Sequence, residues 1–153
     1  MQMILVFVAI FFILGLVLLL VGIRLRGKAK AAAEWPTTTG TIISASLQEN
    51  SSLDSDNNTQ ITYEPLVQYQ YSLIGQRYVG TRLSFGHMSY DYRTASKKIA
   101  AYVPGAQVTV HYDPTAPSQS VLEPKAAGGM VMIILGALFM VIGIAFGVGI
   151  LLG

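Results

Sequence analysis

Met3–Ile23 reads MILVFVAIFFILGLVLLLVGI, and Met130–Leu152 at the other end reads MVMIILGALFMVIGIAFGVGILL. Neither run contains a charged residue or a proline. About 20 consecutive apolar residues carry a helix across a bilayer core, where lipid offers backbone groups no hydrogen-bonding partner. A soluble domain of this size cannot cover two such helices. Residues 1–23 and 128–152 are therefore expected to be transmembrane helices of a multi-pass protein in the cell membrane, with the lipid bilayer as their first partner.

Everything charged lies between them. All ten Lys and Arg and all eight Asp and Glu fall from Arg24 to Lys125. Charged residues make up 12% of the chain, against about 25% in ordinary soluble domains. A signal peptide has its basic residues before a shorter apolar run. Here Arg24, Arg26, Lys28 and Lys30 follow the run, which makes it a retained anchor and residues 24–34 a basic juxtamembrane linker. Basic residues near span ends favour the cytoplasmic side. The soluble domain is thus expected in the cytoplasm and both chain ends outside, with Ser55 as a probe position. The formal charge of +2, without a basic stripe and interleaved aromatics, gives no reason to expect a nucleic-acid partner. With no cysteine, disulfides, thiol nucleophiles and thiolate metal sites are excluded.

Small residues recur on one stripe of each apolar helix. Gly129, Gly136 and Gly143 are spaced by seven, Gly147 lies one turn further, and Gly15 and Gly22 repeat the spacing in the first helix. Such stripes let helix backbones approach closely in lipid. They are read as packing surfaces, either between the two spans or against another subunit.

The intervening residues 35–124 read as a small soluble domain rich in β-structure. Leu66–Leu73 (LVQYQYSL) alternates, with Val67, Tyr69, Tyr71 and Leu73 on one face and Gln68, Gln70 and Ser72 on the other. Thr41–Leu47 precedes it as a strand, and the polar segment Gln48–Gln60 reads as a mobile loop. Gly75-Gln76 supplies a turn to a return strand within Arg77–Ser84. Thr94–Tyr102 is a short helix candidate capped by Thr94. Gln107–Tyr112 alternates again, burying Val108, Val110 and Tyr112 while Thr109 faces water, and Val121–Leu122 offers a last strand. The fold class is therefore two transmembrane helices flanking a mainly-β domain, barrel-like or a folded sheet, with one short helix.

Trp35 followed by Thr39-Gly40-Thr41-Ile42, Tyr69-x-Tyr71 leading to Gly75 and Tyr78, and Tyr102-Val103-Pro104-Gly105 running on to Tyr112-Asp113-Pro114 form a pattern. With Pro117 and Leu122, it resembles the bacterial membrane-protein family called domain of unknown function 3592. The resemblance covers about Trp35–Leu122 and the flanking spans. It implies a β-domain between two spans, and brings neither an activity nor a catalytic residue.

Recognisable chemistry is sparse. His87 and His111 are the two histidines, too few without Cys or clustered carboxylates for a zinc centre. Ser, His111 and Asp113 reproduce triad residue types, but among so many serines chance accounts for that. Asp54-x-Asp56-x-Asn58 opens like a calcium loop, yet Thr59 and Pro65 occupy the positions where Gly and Glu are needed. There is no phosphate-loop or dinucleotide fingerprint. No catalytic residue, cofactor or metal is expected. All eight tyrosines lie in the soluble segment; those on alternating faces suit a core, whereas Tyr90 and Tyr92 are candidates for a partner surface. The expectation is a non-enzymatic, membrane-anchored interaction module, an accessory or scaffold subunit that binds a membrane protein or itself. The alternative is a domain that binds or senses a peptide, lipid or glycan.

Overall fold

The computed structural model describes residues 2–53 and 56–152; Asp54 and Ser55 lie outside it. In chain order the elements are α1 (Gln2–Ala33), β1 (Thr37–Leu53), β2 (Thr59–Leu73), β3 (Gln76–Gly80), α2 (Tyr92–Ile99), β4 (Gln107–Asp113), β5 (Ala116–Val121) and α3 (Gly129–Leu152). Two long apolar helices thus flank a five-stranded antiparallel sheet with one short helix.

Both long helices are long and apolar enough to cross a membrane, and only 11% of the most apolar window of each is buried within the chain. The core helices of a soluble domain are mostly buried, and these are not. α1 does not stop where its apolar run ends. The following residues, RLRGKAKAAA, are mostly good helix formers, and the helix continues through them to Ala33. Pro36 then prevents further helix, because it lacks an N–H and restricts the residue before it. At about 1.5 Å per residue the helix is about 48 Å long, well beyond the ~30 Å of a bilayer core. Its basic extension is seated on the sheet domain. Ala29 and Ala32 are buried against Phe85 and Val121, with Leu25, Trp35 and Ala126 packed around them.

The strand order is β3-β2-β1-β4-β5. The sheet is open, but its two edges converge. Tyr69 on β2 reaches Ser120 on β5 at 3.0 Å, and Tyr71 donates to the Pro117 carbonyl at 2.6 Å. Just past β3 and β5 the chain segments run side by side. Leu122 N–H donates to Arg82 O, Glu123 N–H to Leu83 O, Phe85 N–H to Lys125 O and Ala127 N–H to Phe85 O. These four bonds fold the sheet around a core of Ile42, Val67, Tyr69, Tyr71, Val110 and Leu122, with Val108 and Tyr112 partly buried against it. The alternation along Leu66–Leu73 has its apolar face inward, while Gln68 and Ser72 are exposed and Gln70 is half-buried.

Several element boundaries differ from the sequence expectation. The polar segment Gln48–Gln60 is not mainly loop: β1 runs to Leu53 and β2 begins at Thr59, paired from Leu47↔Pro65 to Leu53↔Thr59. Both faces of this hairpin are largely solvated, so it has no burial alternation to betray a strand. α2 begins two residues before the expected cap. The Asp91 side chain accepts from Thr94 N–H at 3.1 Å, making Asp91 the N-cap. The β2–β3 turn is Ile74-Gly75, with φ of 50° and 80°, between the paired residues Leu73 and Gln76. A β-branched residue is rare at positive φ. Ile74 sits there with its side chain wholly in solvent. β5 starts at Ala116, and Pro117 fits because β5 is an edge strand.

Candidate functional site

Three features of the fold offer a site: the helix pair, a projecting β-arm, and a cavity where α1 meets the sheet.

The glycines of the two apolar helices lie where the helices cross. A side-chain carbon built on Gly15 would stand 2.8 Å from the Gly136 carbonyl oxygen, and one on Gly136 would stand 2.7 Å from that of Gly15. Gly22 stands in the same relation to Gly129, at 2.9 Å. Around Gly143 and Gly147 the fit relaxes to ordinary contacts with α1, from 3.6 Å outward. Phe11 and Phe139 add a tilted ring pair at 5.5 Å. The stripes therefore face each other within one chain.

The hairpin formed by Ile43–Leu53 and Thr59–Leu66 projects past the rest of the sheet. β4 pairs with β1 only from Thr37 to Thr41, and β3 with β2 only from Tyr69 to Leu73. Among the described residues, the one further strand-like contact of the arm is the Tyr63–Tyr90 bridge. Leu53, Ile61 and Leu66 are exposed along the arm. Of the two tyrosines proposed as a surface, Tyr90 is half-buried under Lys98, whose Nζ stands 4.9 Å from the ring centroid. Tyr92 is exposed and meets Tyr63 edge-on at 5.3 Å. Burial, then the charge of Glu49, raises the Tyr63 hydroxyl above its ordinary value.

A cavity of about 720 Å³ opens between the extension of α1 and the sheet. Leu25, Lys28 and Trp35 line one side, and the segment from Thr81 to Met88 lines the other. Its acids are engaged. His87 Nδ1 lies 2.6 Å from Glu64 Oε1, and Asp113 accepts from Thr115 N–H and Oγ1–H at 2.8 and 2.7 Å. Glu123 accepts from Tyr102 Oη–H at 2.7 Å and from Lys125 Nζ at 3.2 Å.

No group of three or more His, Asp and Glu able to hold a metal occurs among the described residues. His87 is exposed; His111 is half-buried, and its Nδ1 has no hydrogen-bond partner among the described residues.

The model of the family described as Domain of unknown function (DUF3592) matches residues 38–127, more than half of the chain. The chain belongs to that family. No curated protein and no solved structure matches it. The matched stretch runs from β1 to the link before α3 and so covers the sheet domain.

Glu123 provides a test of the packing around this link. Burial pushes its carboxyl up, but the Tyr102 hydroxyl, the Lys125 ammonium and the charge of Lys98 together hold it below the usual glutamate range. A carboxyl lowered by folding stabilises fully above its unfolded value, and that contribution is lost as pH falls through the folded value. On acidification below the ordinary glutamate range, the Tm of the native chain should therefore fall faster than that of Glu123→Gln. Parallel Tm-against-pH curves for the two proteins would exclude the contribution.

Proposed function

We propose that the protein is a membrane-anchored, non-enzymatic interaction module, an accessory or scaffold subunit that offers its β-arm to a membrane-protein partner or a second copy. Both apolar helices cross the bilayer in this reading, and the sheet domain faces the cytoplasm. The observation that carries it is the arm. Ten residues of β1 beyond Ile43 have a strand on one side only, and apolar side chains are exposed beside the free edge. Unpaired strand edges are templates for strand addition, in which backbone hydrogen bonds hold the partner and alternate side chains select it.

The helix pair supports the same assignment by elimination. Its glycines are occupied within the chain, leaving the arm as the more exposed means of association. Sidedness follows from Arg24, Arg26, Lys28 and Lys30, all exposed on the extension of α1.

Ser52, exposed near the arm's end, gives one probe for both points. Ser52→Cys should react with a membrane-impermeant thiol reagent only after lysis. Loaded with a permeant thiol-reactive benzophenone and illuminated in cells, it should yield one predominant cross-linked species that survives purification in mild detergent. Labelling in intact cells would reverse the topology. Diffuse cross-linking, no stronger than that of a probe at exposed Gln76 on the far side of the sheet, would remove the arm as a docking element.

A further inference from the structure

We propose that the cavity between the extension of α1 and the Thr81–Met88 segment is a binding site for the phosphate headgroup of an anionic membrane lipid. The inference rests on both apolar helices crossing the bilayer, and it is independent of what the β-arm binds.

Depth comes first. Leu25 lies two residues past the charge-free run of α1, and Ala127 two residues before α3 begins. Both line the cavity, and Gly86, with φ of 89°, brings the segment between them: a side-chain carbon there would lie 2.5 Å from the Ala127 carbonyl and 3.4 Å from Leu25. The cavity therefore opens at the level where lipid headgroups lie when both helices span.

Charge comes second. Lys28, Arg82 and Lys98 line the cavity, and the two ion pairs among the described residues, His87–Glu64 and Lys125–Glu123, involve none of them. The Arg82 guanidinium lies over the face of Phe85, its carbon 5.4 Å from the ring centroid. Every acid of the lining is already bonded, as described above. Three cations outside any ion pair thus share the cleft with three carboxylates that are already hydrogen-bonded, Glu64 to His87, Asp113 to Thr115 and Glu123 to Tyr102 and Lys125. The cations, and not the bonded acids, are the groups left to meet an anion, and a guanidinium fits phosphate in a bidentate manner.

Shape comes third. The apolar side chains of Leu25, Leu83 and Met88 share the lining with these cations, and Met88 is 37% exposed. A soluble anion has no use for that apolar margin, whereas the glycerol and first methylenes of a lipid do. The ligand class is therefore a lipid phosphate and not free phosphate.

Trp35, the one tryptophan of the chain, lines the cavity and reports its occupancy. The full chain in mild detergent is titrated with short-chain phosphatidylglycerol, short-chain phosphatidylcholine or inorganic phosphate, reading Trp35 emission. Phosphatidylglycerol should give a saturable change. Lys28→Ala and Arg82→Ala should each weaken it about five-fold, the effect of one basic residue at an anionic lipid surface. Lys30→Ala, exposed and outside the lining, should leave it unchanged. Lys28 is exposed, so its loss does not disturb packing, and a native far-UV circular dichroism spectrum checks each variant. An equal response to phosphatidylcholine, equal affinities in all three variants, or no saturable response would overturn the site. Saturation by inorganic phosphate with the same variant sensitivity would overturn the lipid assignment in favour of a soluble phosphate.

Discussion

Replacing Gly136 with leucine should drive the two long helices apart. The first carbon of any side chain there would fall 2.7 Å from both the Gly15 carbonyl oxygen and the Leu19 amide nitrogen. Both are helix backbone and cannot swing aside as a flexible side chain would. Overpacking in protein interiors costs about 1–3 kcal/mol, and a clash with backbone belongs at or above the top of that range. The effect is readable as a loss of oxidative cross-linking between Val8→Cys and Gly147→Cys, positions in contact across the pair. Gly143→Ala, with its nearest neighbours at 3.6 Å, should keep the cross-link, and so should Gly149→Ala, which has nothing within 4 Å. Equal behaviour of all three variants would mean that the helices do not cross at Gly15 and Gly136.

Tyr69→Ala should be the most damaging change in the sheet domain, at about 3–5 kcal/mol for removing a large buried aromatic ring. Tyr69 is wholly buried, and its ring fills the space opposite Gly80, where a side-chain carbon would come within 2.5 Å of it. Its hydroxyl donates its one hydrogen to the Arg82 carbonyl at 3.2 Å and accepts from the Ser120 hydroxyl at 3.0 Å. Burial, eased by the bond to Ser120, raises that hydroxyl to about 12, so it is a neutral donor at any physiological pH. Tyr69→Phe keeps the ring and strands Ser120, which is itself buried, for about 1–3 kcal/mol. Denaturant titration followed by near-UV circular dichroism separates the two variants. If alanine and phenylalanine cost the same, the hydroxyl and not the ring is the element that closes the sheet.

What was legible in the sequence divides along a physical line. The spans announce themselves by length and lack of charge, and the core strands by alternation at Val67, Tyr69 and Tyr71, because burial writes a periodic pattern. The arm reads as loop in the sequence because Gln48–Leu53 and Thr59–Gln60 are held by backbone bonds and solvated on both faces. The helical extension Arg24–Ala33 carries its buried contact on two alanines, too small to stand out among the basic residues around them. Asp91 was passed over as a cap in favour of Thr94, three residues on, whose amide it binds. The cavity had no signal at all. Lys28, Arg82 and Met88 are distant in sequence, and only the crossing of the 82–85 and 122–127 segments brings them to one cleft.

That α1 runs without a break from its apolar segment into the sheet domain has a mechanical consequence. Two struts leave one platform, are clamped together at Gly15/Gly136 and Gly22/Gly129, and meet again through Ala29, Ala32, Phe85 and Ala126. A frame braced at both levels resists hinging and swivelling about that junction. One residue inserted between Gly27 and Lys28 would call for about 1.5 Å of lift and about 100° of rotation that the second strut does not permit. The height and compass bearing of the arm are then fixed with respect to the helix pair. What the chain holds constant is a position, and a twist imposed on one end would be felt as a displacement at the other.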